Sequence, residues 1–176
     1  MLHPRIEKIK ELLCCPSCRE GLDFAEEFCV CDGCGERYPI ANGKVYFRDG
    51  QQRTDAFDCL KERIKKRLGK LYYTLRDICS PIYSMNFRKL VSRNVPADAL
   101  VVDIGSGNLR LDESFICVDF TDYEAVDLVC DIDMLPFRDD TIDAFISRGV
   151  LEHVRDARHI VDGLHRMTKK GGHGVH

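Results

Sequence analysis

Two Cys-x-x-Cys pairs near the amino terminus constrain this chain more than any other feature. Cys15-Pro16-Ser17-Cys18 and Cys31-Asp32-Gly33-Cys34 are separated by twelve residues. Each pair places two thiolates on one side of a tight loop, and two such loops present four sulfurs in the tetrahedron that zinc prefers. Between them Leu22, Phe24, Phe28 and Val30 flank Ala25-Glu26-Glu27, a hairpin pattern that brings the knuckles together. Past the second knuckle, Tyr38-Pro39-Ile40 and Lys44-Val45-Tyr46-Phe47 bracket Asn42-Gly43, the strongest short signal for a tight hairpin turn. A segment this short has little core of its own, so metal binding would supply folding free energy on the order of 10 kcal/mol.

Composition narrows the setting. The 176 residues include ten cysteines, six of them between positions 14 and 34. Met1-Leu2-His3-Pro4-Arg5 is followed by charged residues rather than an apolar stretch, so no secretory signal is expected and the compartment reads as cytoplasmic. In a reducing cytosol, clustered cysteines hold metal more often than they form disulfides. No apolar run approaches the ~18–20 residues that span a bilayer. Cys15, Cys18, Cys31 and Cys34 are the expected ligands. Cys14 could replace its neighbour, but only Cys15 completes the two-residue spacing; Cys29 is assigned with Cys14 to packing or reserve. Four cysteine ligands leave no open coordination position, so the metal is expected to be structural. Over roughly residues 9–48 the order C-P-x-C…C-x-x-C-x-x-x-Y-P-I-x-x-G resembles the small zinc-ribbon proteins that serve as partner subunits of tRNA and protein methyltransferases. That resemblance implies a partner protein reached through the ribbon.

Charge divides the chain into three parts: residues 1–50 carry −2, residues 51–98 carry +6 and residues 99–176 carry −7. The expected domains follow this division, as a zinc ribbon, a basic helical linker and an α/β part. Apolar residues at three- and four-residue spacing predict a helix over residues 55–77 and a second over residues 83–94. Lys61, Arg63, Lys65, Lys66, Arg67 and Lys70 crowd the first. They read either as a footprint for a phosphate-bearing partner or, more simply, as a solvated outer face.

The acidic part is built from apolar runs with polar tips. Ala99-Leu100-Val101-Val102 leads into Asp103-Ile104-Gly105-Ser106-Gly107-Asn108, a strand followed by a glycine turn where backbone N–H groups can approach a ligand. Runs at 115–119 and 126–131 end in Asp119 and Asp131; a fourth covers 141–147, followed by Leu151-Glu152-His153-Val154 and a helix near 157–167. Such tips are where an open α/β sheet binds its ligands. An acid after the second strand can take both hydroxyls of a ribose, and one after the third can accept from an adenine amino group. Residues 105–108 contain no Lys or Arg to answer a pyrophosphate, which points away from a nicotinamide cofactor.

This order, V-V-D-I-G-S-G-N, C-V-D-F, C-D-I-D-M-L-P-F, T-I-D-A-F-I-S, V-L-E-H-V, resembles the class I S-adenosylmethionine-dependent methyltransferases, closest to their broad small-substrate superfamily. The resemblance implies a Rossmann-like domain with about four parallel strands present, preceded by the ribbon and the helical linker. It implies that Asp103, Gly105, Ser106 and Gly107 hold the methionine end of S-adenosyl-L-methionine, that Asp119 holds its ribose, and that Asp131 with the backbone of Ile132 holds its adenine. Glu152 and His153 would border the reacting methyl, with His153 as the candidate base. Asp103 and Gly105 could instead only shape the turn, Asp133 competes with Asp131, and His153 could simply order a helix. Eleven residues between Gly107 and Asp119 leave scarcely room for a helix there.

Residues 168–172 resemble the helix end and turn that should feed a fifth strand. With only 78 residues from position 99 onward, against ~100–150 for a complete domain, strands five to seven are expected to be absent and the edges of strands one and four open. The expected function is transfer of a methyl group to an RNA, small metabolite, lipid or sugar. The competing reading is a non-catalytic ribbon module that recruits RNA or a partner protein.

Overall fold

The computed structural model describes residues 2–48, 93, 95, 96, 98–151, 154 and 156–175. The helix expected over 55–77, and all but Arg93 of the one over 83–94, lie outside these residues, as do Glu152 and His153.

The chain opens with helix α1 (Pro4–Ile9), which starts where proline at the first turn costs nothing and where His3 Nδ1 accepts from the Arg5 N–H at 3.3 Å. Ile6 and Ile9 face inward. The ribbon follows as β1 (Leu22–Phe24), β2 (Phe28–Cys31), β3 (Arg37–Ala41) and β4 (Lys44–Tyr46), each antiparallel to the next. Asn42 and Gly43 close the second hairpin with φ of 53° and 79°, the left-handed pair that matches strand twist.

The α/β part comprises β5 (Val101–Ile104), β6 (Ile116–Asp119), β7 (Leu128–Val129), β8 (Ile142–Ser147), α2 (Ala157–Met167) and β9 (Thr168–Val175). All four β5 residues are buried, as befits a parallel strand covered on both faces. A short 3₁₀ turn (Ile132–Met134) follows β7. Asp156 caps α2 by accepting from the His159 N–H at 3.0 Å, and Ile160, Leu164 and Met167 bury its inner stripe.

Ribbon and α/β part share one sheet, ordered β1-β2-β3-β4-β7-β6-β5-β8-β9. The junction is parallel: Val45 pairs with Leu128 and Tyr46 with Val129, and the Phe47 N–H donates to the Val129 carbonyl at 2.8 Å. A single core runs through it, in which Cys29, Tyr38, Val45 and Phe47 join Ile116, Leu128, Leu135 and Phe137. Each large apolar side chain buried there contributes roughly 1.5–3 kcal/mol.

The four expected parallel strands are present, and a fifth accompanies them. His173, Gly174 and Val175 pair in parallel with Ala144, Phe145 and Ile146 of β8. The predicted turn survives only as a bulge: the register slips between Ile142 and Ala144, with Gly171 at φ 82°. Glycine also admits the close approach, since a Cβ on Gly174 would lie 2.5 Å from Phe145 Cζ. The expected open edges are therefore closed among the described strands: β5 lies between β6 and β8, and β9 covers β8.

Candidate functional site

Strand order reverses between β5 and β8: the chain runs outward through β6 and β7 on one side and through β8 and β9 on the other. The crevice at the carboxyl ends of such a sheet is where α/β proteins bind ligands. Asp103 and the 105–107 turn, Asp119, and Asp131 stand at the ends of β5, β6 and β7, three neighbouring strands.

Gly105 and Gly107 have φ of 64° and 61°. No heavy atom comes within 4 Å of a Cβ built on Gly107, so its face of the turn is open. The Gly107 and Thr121 N–H groups each donate to one Asp119 oxygen at 2.8 Å, fixing the carboxylate while leaving lone pairs for further donors. Burial pushes the Asp119 carboxyl above its ordinary range, against the opposing pull of these N–H groups and of Arg48. Asp131 accepts from the Asp133 N–H at 3.1 Å and caps the 3₁₀ turn that carries Ile132, while Phe120 and Met134 are exposed large apolar side chains next to these tips. An open stretch of backbone, two carboxylate acceptors and flanking apolar surface are compatible in their chemistry with S-adenosylmethionine, the cofactor that the resemblance implies.

Asp103 differs. It is fully buried, and Arg148 donates to its Oδ2 at 3.0 Å. Burial raises its carboxyl to about 6, although the Arg148 charge pulls the other way. Among the described residues, Asp103 Oδ1 and Ser106 Oγ are buried without a hydrogen-bond partner. Sequence reading did not find Arg148. Its only signal is a position directly after the fourth strand.

At the ribbon, the sulfurs of Cys15, Cys18, Cys31 and Cys34 all lie within 4.8 Å of one another. Cys15 and Cys34 are 3.7 Å apart, close to the ~3.8 Å edge of a tetrahedron with ~2.3 Å zinc–sulfur bonds, and Cys18 and Cys31 lie nearer, at 3.2 Å. The Gly33 and Cys34 N–H groups point at Cys31 Sγ at 3.4 Å. Burial disfavours the Cys15 thiolate, but the Tyr38 hydroxyl at 3.1 Å and the Cys18 and Ser17 N–H groups outweigh it and lower its pKa. This donor set suits zinc. Cys14 and Cys29 are buried outside the group, and burial lifts Cys29 to about 12. Tyr38, four residues past Cys34, is the supporting residue that cysteine spacing alone does not reveal.

Residues 83–175 match the family model described as a methyltransferase domain. No curated protein matches the chain. Among solved structures it is similar to a Methanococcus maripaludis protein assigned as an S-adenosyl-L-methionine-dependent methyltransferase, at 19% identity and TM-score 0.49, over 73% of this chain and 67% of that one. The Bacillus subtilis YcgJ protein is similar at 23% identity and TM-score 0.41, over 48% of this chain and 46% of that one. A chain from the complex between the Haloferax volcanii Trm112 methyltransferase activator and its assigned methyltransferase is similar at 23% identity and TM-score 0.38, over 53% and 52%. The chain thus spans about half the length of the latter two. Among the described residues, no helix is long and apolar enough to cross a membrane.

Proposed function

The chain belongs to the methyltransferase-domain family, and on that footing we propose that it binds S-adenosylmethionine at the carboxyl ends of β5, β6 and β7 and transfers its methyl group to an acceptor. The observation that carries the reading is the row of carboxylates on three adjacent strand ends beside a glycine turn left open at Gly107. When bound, the cofactor supplies a methyl on a positively charged sulfur, ready for in-line displacement by a nucleophile.

The protein's part is to bind and align, which for methyl transfer can account for much of the rate. Asp119, pinned by the Gly107 and Thr121 N–H groups, is oriented to accept from vicinal hydroxyls without reorganising. Asp131 and the Ile132 backbone offer an acceptor and a donor to an aminopurine edge, and Gly107 lets main chain lie against the amino-acid end. His153 would serve as the base for the acceptor. Cys15, Cys18, Cys31 and Cys34 would hold zinc in a closed structural site, with residues 1–50 as the ribbon, 51–98 as the linker and 99–176 as the cofactor-binding part.

Calorimetric titration with S-adenosylhomocysteine tests the cofactor site. Binding is expected, and Asp119→Ala or Asp131→Ala should each weaken it about tenfold or more. An intact protein that binds nothing, or variants that bind as tightly as the parent, would refute it. For the metal, protein purified without chelator should carry close to one zinc, and less than about half an equivalent would count decisively against the site.

A further inference from the structure

Arg148 follows the last residue of β8 and turns back over the glycine turn. Its Nη2 donates to Asp103 Oδ2 at 3.0 Å and reaches the Ser106 and Leu109 carbonyls at 3.5 and 3.4 Å. Guanidinium and carboxylate commonly meet through two parallel N–H···O bonds. Here only one end engages. Among the described residues, Asp103 Oδ1 and Arg148 Nε are both buried with no hydrogen-bond partner. Such unmet groups weaken a buried contact, so this pair is held by its surroundings rather than by its own geometry. Two residues on, Val150 presses on the same turn: a Cβ on Gly105 would lie 2.1 Å from Val150 Cγ2. The loop after β8 therefore closes over the end of β5 at two points.

We propose that Arg148 is a specificity residue for the charged amino-acid end of the cofactor, resting on the cofactor reading above. In the free protein its guanidinium occupies Asp103. On binding, an α-ammonium takes that carboxylate and Arg148 turns to the neighbouring α-carboxylate. An α-amino acid zwitterion presents one cation and one anion on the same carbon, which complements an acid and a base that are already adjacent but half satisfied. A ligand without those charges gains nothing from the exchange and leaves the pair in place. The raised carboxyl of Asp103 agrees with an anion poorly served by its present partner.

Two ligands that share adenosine and thioether but differ in the amino-acid end separate the possibilities. S-adenosylhomocysteine and 5′-methylthioadenosine are titrated calorimetrically into the parent chain, Arg148→Met and Arg148→Lys. The expected result is that Arg148→Met weakens S-adenosylhomocysteine about 10- to 100-fold, the worth of a charged hydrogen bond. Methylthioadenosine should change less than about twofold, which also reports an intact pocket, and Arg148→Lys should recover part of the loss. Equal weakening of both ligands, or none of S-adenosylhomocysteine, overturns the role of Arg148 while leaving the cofactor site standing. A parent chain that binds neither ligand overturns the cofactor reading, and this proposal with it.

Discussion

Asp127 is the carboxylate whose removal should harm the fold most. It is 3% exposed and accepts from the Cys117 N–H at 2.9 Å, from Arg110 Nη2 at 3.0 Å to each oxygen, and from Arg5 Nε at 3.2 Å. It thereby joins α1, β6 and the loop before β6. Asp127→Ala leaves the Cys117 N–H without an acceptor inside the sheet. It also strips the buried Arg110 charge of its counterion, although the Phe115 and Ala125 carbonyls remain at 2.7 and 2.6 Å. Breaking one side of such a buried pair costs about 3–5 kcal/mol. Arg5 adds little, because its other partner, Glu113, is 86% exposed and sits in solvent. Urea denaturation of zinc-loaded protein should therefore show a loss of about 3–5 kcal/mol for Asp127→Ala. Asp127→Asn keeps an acceptor for Cys117 but loses the charge, and should fall between that variant and the parent. Glu113→Gln should change stability by no more than ~0.5 kcal/mol. An Asp127→Ala loss no larger than that of Glu113→Gln would refute the reasoning.

Three further outcomes are expected. Tyr38→Phe removes the hydroxyl 3.1 Å from Cys15 Sγ and should lower zinc affinity about 10- to 100-fold in competition with a chromogenic chelator. Because burial lifts the folded Asp103 carboxyl to about 6 from its ordinary 3.8, the folded state holds that proton more tightly. This favours folding below about pH 4 and is lost as pH rises through about 6, so Asp103→Asn should gain about 3 kcal/mol relative to the parent between pH 4 and 7 in denaturant midpoints. A flat difference would contradict the shift. Gly174→Ala places a methyl 2.5 Å from Phe145 Cζ and should cost roughly 1–3 kcal/mol, with faster amide exchange in β9. Unchanged exchange would show that β9 does not depend on that approach.

The features legible from sequence are those written in local patterns. Cys-x-x-Cys spacing placed the knuckles, Asn42-Gly43 placed the β3–β4 turn, and apolar runs with polar tips placed β5, β6 and β8. The helix expected near 157–167 coincides with α2. The third strand covers Leu128–Val129 rather than six residues, although the Asp127 and Cys130 N–H groups on either side still donate to the Cys117 and Asp119 carbonyls of β6. β9 was missed because three glycines, two lysines and a histidine in eight residues carry no strand pattern; its pairing comes from the β8 edge. α1 was overlooked although Pro4 and the Ile6–Ile9 spacing mark it. Arg148 and Tyr38 act across long sequence distances, on Asp103 and Cys15, where no local pattern could announce them.

The parallel ladder between β4 and β7 joins segments far apart in sequence. The ribbon's closures are local, with Cys15 and Cys34 nineteen residues apart, whereas Val45 must find Leu128 across most of the protein. Loop-closure entropy favours gathering the knuckles before the ladder zips. Until it does, the carbonyls of Asp127 and Val129, which the Val45 and Phe47 N–H groups otherwise occupy, form a bare strand edge. A bare edge of buried β-branched and leucine residues is a template for another chain. On the proposed zinc reading, protein refolded without zinc should show a larger self-associated fraction by light scattering than protein refolded with it.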